Sequence, residues 1–161
     1  AENNGRVISN QGGFQTNDLL KGSCIALDDV IDKTRVHIES LSDRLGFANL
    51  EISNVWGNVN RKHCYNDVHV HSNAIVSAVY YVKAEPDQGD LVFIRDKYPA
   101  EYIRKFYRTY ENEHNRLEMR HTPKTGDLIL FPAWVEHSVS PNKTDMPRVS
   151  FAMNIDAAAV G

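Results

Sequence analysis

Cysteine is nearly absent: the 161-residue chain has only Cys24 and Cys64, too few to staple a secreted disulfide scaffold. Both are expected as free thiols in a reducing compartment. An excess of one charge sign is missing too. With 18 lysines and arginines against 21 aspartates and glutamates, the formal net charge is −3, so no basic surplus exists to hold nucleic acid or an anionic membrane. Long apolar runs are also lacking. No stretch approaches the length that crosses a bilayer, and the polar opening AENNGRVISNQGG has no apolar core of a signal peptide. No membrane partner is expected, and the expected address is the cytoplasm. Repeats and low-complexity tracts are absent, and a chain of this length supports one core, so residues 1–161 are read as a single domain.

What is present has clear periodicity. SNQGGFQTNDLL, polar and glycine-containing, reads as a loop or arm leading into the body. Leu27, Val30, Ile31, Ile38, Leu41 and Leu45 then fall at helical spacing, with Gly46 as the stop, and this apolar stripe needs a sheet to cover. Short strand candidates follow: residues 51–59, 67–71, 75–82, 90–94, 117–122, 127–134, 136–140 and 148–155, with PDQGD, PKTGD and PNKTDMP as turns. Many short strands after one helix point to a mainly β sandwich or barrel with helices packed outside it. YPAEYIRKFYRTYENEH interrupts the series. Tyr102, Ile103, Phe106 and Tyr110 share a helical face there and Pro99 suits a first turn, so a short helix or ordered excursion is expected.

Of seven histidines, His37 and His114 sit in charged or helical surroundings, and His63 and His121 have no partner at ligand spacing. DVHVH is different. On a strand, His69 and His71 point to one face, although a bare HxH leaves metal ligation and ordinary packing both open. GDLILFPAWVEHSV (126–139) then delivers a third imidazole, His137, 68 residues after the first. Two neighbouring ligands and one distant one leave positions open on a metal, which is the mark of a catalytic site.

Together these segments resemble the iron(II)- and 2-oxoglutarate-dependent oxygenases, and most closely their small prokaryotic and bacteriophage branch, with prolyl-hydroxylase-like features. The likeness rests on SNQGG (9–13), Trp56 to Asn58, His69 to His71, Val79 to Val82 and GDLILFPAWVEHSV. It implies a double-stranded β-helix, the jelly-roll or cupin-like barrel, and a facial triad of His69, His71 and His137 holding Fe(II). It also implies 2-oxoglutarate as cosubstrate and dioxygen as co-reactant, with hydroxylation of an unidentified peptidyl or amino-acid substrate in a bacterial or phage-infected cytoplasm. Arg148, in RVS, is then the residue for the far carboxylate of 2-oxoglutarate, because its planar fork meets a carboxylate with two charge-assisted hydrogen bonds. Ser150 shares its face. Tyr81, the second tyrosine of the YY pair, is a further cosubstrate candidate with Ser77 on the same parity and Asn58 on an early strand, while Tyr80 is expected to face the core. Trp134 and the Tyr102 to Tyr110 stretch are candidates to line or cover the mouth.

The sequence departs from the family's commoner pattern at His71, where most members carry a carboxylate. A neutral ligand there leaves the metal one more unit of positive charge. Asp67, of the same strand parity, is held in reserve as a direct ligand or an orienting group. Two other readings stay open: a metal-binding cupin that ignores 2-oxoglutarate, against which SNAIVSA lacks the expected glutamate, and a non-catalytic jelly-roll binding module. Oligomeric state is not legible.

Overall fold

The computed structural model describes residues 5–47, 49–95 and 115–157 together with Phe106 and Asn112. The helix α1 spans Ile25–Leu45, two residues earlier than its apolar stripe. Cys24 caps its start, its Sγ accepting from the Leu27 amide at 3.4 Å, and Asp28 and Arg44 sit at the ends where the helix dipole favours them. Gly46 ends it as expected. At φ 75° it adopts the left-handed conformation that only glycine takes without strain, and its N–H donates to the Ser42 carbonyl.

Among the described residues, ten strands form two five-stranded antiparallel sheets. In chain order they are β1 (Asn10–Gln11), β2 (Phe14–Gln15), β3 (Leu50–Asn60), β4 (Tyr65–His69), β5 (Val76–Lys83), β6 (Leu91–Ile94), β7 (Glu118–His121), β8 (Leu128–Pro132), β9 (His137–Val139) and β10 (Arg148–Ala157). One sheet runs β1-β4-β9-β6-β7 and the other β2-β3-β10-β5-β8. Eight strands overlap the segments that the alternation marked, but β4 lies two residues earlier than the expected 67–71, so His71 falls outside it. The arm differs as well: SNQGGF is not merely loop, because Asn10 and Gln11 pair with β4 and Phe14 and Gln15 with β3, tying it to both sheets. Tyr102, Ile103 and Tyr110 lie outside the described residues, and α1 is the one helix among those described. No helix among them is long and apolar enough to cross a membrane. Both cysteines are free, Cys24 exposed and Cys64 buried.

The second sheet has two covered faces. Val55, Met153, Ile155, Val76 and Ala78 pack with Leu27, Val30, Ile31 and Ile38 of α1 into the apolar core, and Tyr80 leans on that cluster as expected of the outward tyrosine. Alternate residues of the same strands turn to the first sheet, and there the lining becomes polar. Truncating Ile38, 1% exposed, to alanine removes packing from the core and should cost about 2–5 kcal/mol, whereas Val36→Ala, at a position 63% exposed, should change stability by less than about 0.5 kcal/mol. Urea unfolding of the two variants checks this, and equal losses would refute the assigned helix face.

Candidate active site

Strand pairing assembles the imidazoles. His69 of β4 stands directly across from His137 of β9, and their ring centroids are 4.2 Å apart. The pairing is not regular. Asn66 faces Val139 and His69 faces His137, so β4 carries one extra residue, a bulge over Asp67 and Val68. That bulge decides the role of Asp67. Simple alternation put residues 67, 69 and 71 on one face, but the extra residue turns the Asp67 carboxylate outward, where it accepts from Gln11 Nε2 at 2.5 Å. Asp67 is therefore not a member of the cluster. His71 lies just past the end of β4, where its N–H donates to the Ala133 carbonyl at 2.9 Å. Its ring lies nearly parallel to that of His137, at 5.1 Å and 9°. The candidate ligand atoms of His69, His71 and His137 all lie within 4.8 Å of one another and could hold a metal ion.

Local carbonyls fix which nitrogens are available. His69 Nδ1 lies 2.7 Å from the Asp67 carbonyl and His137 Nδ1 lies 2.9 Å from the Val135 carbonyl. A carbonyl oxygen only accepts, so both Nδ1 atoms carry the proton and both Nε2 atoms keep a lone pair. Ser9 Oγ, on the arm, approaches His69 Nε2 at 3.4 Å. Burial holds all three rings below the ordinary histidine value and hence neutral. For His137 desolvation outweighs the Val135 carbonyl and brings it to about 4. For His71 desolvation and the neighbouring His69 outweigh the side chain of Asn154. For His69 desolvation outweighs the carbonyl and charge of Asp67. Phe131 meets His137 edge-on at 4.7 Å, with Phe93 behind it.

The second sheet supplies the facing wall. In register, Asn58, Ser150 and Tyr81 form one row across β3, β10 and β5, with Arg148 and Asn60 beyond it. A second bulge, skipping Val82, sets Tyr81 opposite Ser150. Ser77 stands apart from that row: it pairs with Asn154, four residues along β5 or roughly 13 Å from Tyr81. Arg148 is 3% exposed. Its Nη1 donates to the Gln88 and Gly89 carbonyls at 3.0 Å each, while its Nε is buried with no partner. Burial raises the Tyr81 phenol to about 12, so it stays a neutral donor beside this cation.

These residues line one cavity of about 260 Å³ with the three histidines. Arg6, Ser9, Trp56 and Asn154 reach it as well, and sequence reasoning had given them no role. The legible signal was the set of polar residues of even number on the two strands, Asn54, Asn58 and Asn60 on β3 and Arg148, Ser150 and Asn154 on β10, between apolar residues of the core. Gln88 and Gly89 were read only as a turn. Trp134 does not line the cavity. It is exposed in the connection from β8 to β9, next to the carbonyl that holds His71. His121 contacts Asp127 at 3.2 Å, away from the site.

A family model described as "Putative 2OG-Fe(II) oxygenase" matches residues 54–154, which contain all three histidines and Arg148. The chain belongs to this 2OG-Fe(II) oxygenase family. Fe(II) and 2-oxoglutarate are accordingly its cofactor and cosubstrate, and dioxygen its co-reactant. No curated protein sequence matches the chain. Among solved structures, a Pseudomonas putida prolyl-4-hydroxylase is similar at TM-score 0.69 and 17% identity, over 96% of this chain and 77% of that one. The viral collagen prolyl hydroxylase of Paramecium Bursaria Chlorella virus-1, in complex with 2OG, gives 0.64 and 14%, over 93% and 81%. An oxidoreductase of the 2OG-Fe(II) oxygenase family from Burkholderia pseudomallei gives 0.60 and 15%, over 81% of this chain and 55%, about half, of that one. The two sheets are thus the jelly roll of these enzymes.

The neutral, buried imidazoles have a consequence for the metal-free oxygenase. Unfolded histidines take up protons near pH 6.5, while the folded His137 resists until about 4, so the unfolded state binds more protons in between. Stability is then full above pH 6.5 and falls as pH drops through that window, by about 3 kcal/mol for His137 alone. Urea midpoints of the metal-free protein between pH 7 and 4.5 should decline, and less steeply in His137→Gln. Equal slopes would contradict the assigned burial.

Proposed function

We propose that this oxygenase is a hydroxylase of a peptidyl or amino-acid substrate, with His69, His71 and His137 as the ligands of Fe(II). Arg148 and Tyr81 receive the far carboxylate of 2-oxoglutarate. The observation that carries this reading is the unpaired Nε of the buried Arg148, in the same cavity as three imidazoles whose Nδ1 protons are already committed or whose rings are neutral. The donor set fits the metal. Three nitrogen ligands leave positions open for a chelating 2-oxo acid and for dioxygen. Bound together, Fe(II) and 2-oxoglutarate supply the oxidation: decarboxylation to succinate and carbon dioxide, with one oxygen atom of dioxygen entering a substrate C–H bond.

The chain's own residues do the positioning. The Asp67 and Val135 carbonyls hold His69 and His137 in the tautomer that presents Nε2. Nη1 of Arg148 is fixed, so its Nε edge meets a carboxylate without reorganisation, and Tyr81 adds a neutral hydroxyl donor. Ser150 and Asn58 share the row of Tyr81, while Ser77 and Asn154 face the opposite end of the cavity, toward His71. Phe131 and Phe93 keep water from His137. The peptidyl or amino-acid class draws on the two similar prolyl hydroxylases. A cytoplasmic address goes with this reading, given two free thiols.

Anaerobic titration of the Fe(II)-loaded protein with 2-oxoglutarate tests it, by the weak visible charge-transfer band of the chelate. Wild type should develop the band, His71→Ala should lose it, and Arg148→Ala should need roughly tenfold more 2-oxoglutarate or beyond. Metal binding without any band would leave the site a cupin-like one.

A further inference from the structure

The described residues contain four buried side-chain polar atoms without a partner: Arg6 Nε, Ser77 Oγ, Arg148 Nε and Asn154 Oδ1. All four belong to residues lining the one cavity, and among the described residues no aspartate or glutamate lines it. Arg148 has a task in the hydroxylase reading. Arg6 does not, and although its side chain is 27% exposed its Nε is enclosed in a similar way. Its Nη1 is taken by Asp18 Oδ1 at 2.9 Å, as Nη1 of Arg148 is taken by two carbonyls, and its Nε is left unsatisfied. Its guanidinium lies 5.6 Å over Trp56, whose ring stacks on His71 at 5.8 Å and 24°.

We propose that Arg6 is the receptor for a carboxylate on the primary substrate, a site separate from that of 2-oxoglutarate. The inference rests on the hydroxylase reading and names its substrate class. A buried guanidinium edge with no protein acceptor costs stability unless an anion meets it, and a carboxylate is the planar acceptor that its fork fits. Arg6 and His71 both lie against the Trp56 indole, at 5.6 and 5.8 Å, so a carboxylate on Arg6 and a carbon oxidised beside His71 fit one small unit. That unit is an amino acid, either free or at the C-terminus of a peptide. Ser77 Oγ, across from Asn154 on β10 and on the His71 side, remains to accept from its N–H groups, while the Asn154 side chain faces His71. Asp18, 48% exposed, competes for Arg6 and sets how tightly the substrate is held.

The test is anaerobic calorimetry on the protein loaded with Fe(II) and 2-oxoglutarate. The probes are the twenty L-amino acids, their N-acetyl derivatives and their C-terminal amides, against wild type, Arg6→Gln, Arg6→Lys and Asp18→Asn. At least one acid should bind roughly tenfold or more tightly than its amide. Arg6→Gln should erase that preference while leaving 2-oxoglutarate affinity unchanged, Arg6→Lys should restore part of it, and Asp18→Asn should strengthen it. Tight binding of the N-acetyl acid assigns a peptide terminus, and its exclusion a free amino acid. If no acid outbinds its amide, or if the preference survives Arg6→Gln, Arg6 merely ties the arm to β3 and the proposal fails. Failure of wild type to bind 2-oxoglutarate sinks the hydroxylase reading itself, and this proposal with it.

Discussion

A guanidinium taken out of water with no carboxylate in ion-pair range among the described residues is the constraint around which this structure is arranged. Burying an unpaired cation costs several kcal/mol even after relaxation, so neighbouring chain must offset it. The connection from β5 to β6 does so. Gly89, at φ 99°, turns two successive carbonyls onto Nη1 of Arg148, and a Cβ there would stand 2.1 Å from the Ser140 oxygen and 2.9 Å from that Nη1. Gln88 then reaches the Met146 carbonyl, and Asn142, wholly buried, reaches the carbonyls of Asn60 and Met146. The loop before β10 is thereby fixed, and with it the position of Arg148. What these contacts leave open is the buried Nε edge, on the side of the cavity.

The same constraint explains why the second sheet must be covered twice. One face of β3, β10 and β5 packs on α1 through purely apolar contacts and needs nothing else to be stable. The other carries arginine, serine, asparagine and tyrosine, which would be indifferent to exposure on an ordinary sandwich. They are buried because the first sheet closes over them, and that closure lowers the dielectric in which the imidazoles and arginines act. The three irregularities in the ladders, at Asp67 with Val68, at Val82 and at Ser53, are each next to a residue lining the cavity.

Legibility in the sequence followed the strength of local patterns. α1 could be read from its stripe and from Gly46, and His137 from the apolar strand leading to it, because burial on a helix face or a sheet face repeats with a fixed period. The arm could not. Asn10 and Gln11 form a two-residue strand whose sequence is that of a loop, and only their partners on β4 make it one. Asp67 failed for a related reason: alternation predicts a face only while the ladder is regular, and a bulge has no signature in DVHVH. Arg6 was invisible since its neighbours in the cavity, Trp56 and Asn154, are about 50 and 150 positions away in the chain.

Under the proposed assignment His71 stands where most of the family carry a carboxylate ligand, and the rest of the cavity gives that exchange a meaning. With an aspartate or glutamate in that place, the metal and its ligands would carry a single net positive charge. With three neutral imidazoles they would carry two, and Arg148 adds a further one. A bound 2-oxoglutarate dianion offsets two of these, leaving a cavity still positive and lined by no carboxylate among the described residues. In a closed, low-dielectric space such a residue of charge draws an anion and repels a cation by far more than it would in water. A neutral substrate would leave that charge unbalanced, whereas the carboxylate of an N-acylated or peptide-terminal amino acid, which lacks the ammonium of a free one, would cancel it. The proposed histidine ligand and the unsatisfied Nε of Arg6 therefore point the same way: the chemistry of the metal site and the charge of the molecule brought to it are two sides of one electrostatic requirement.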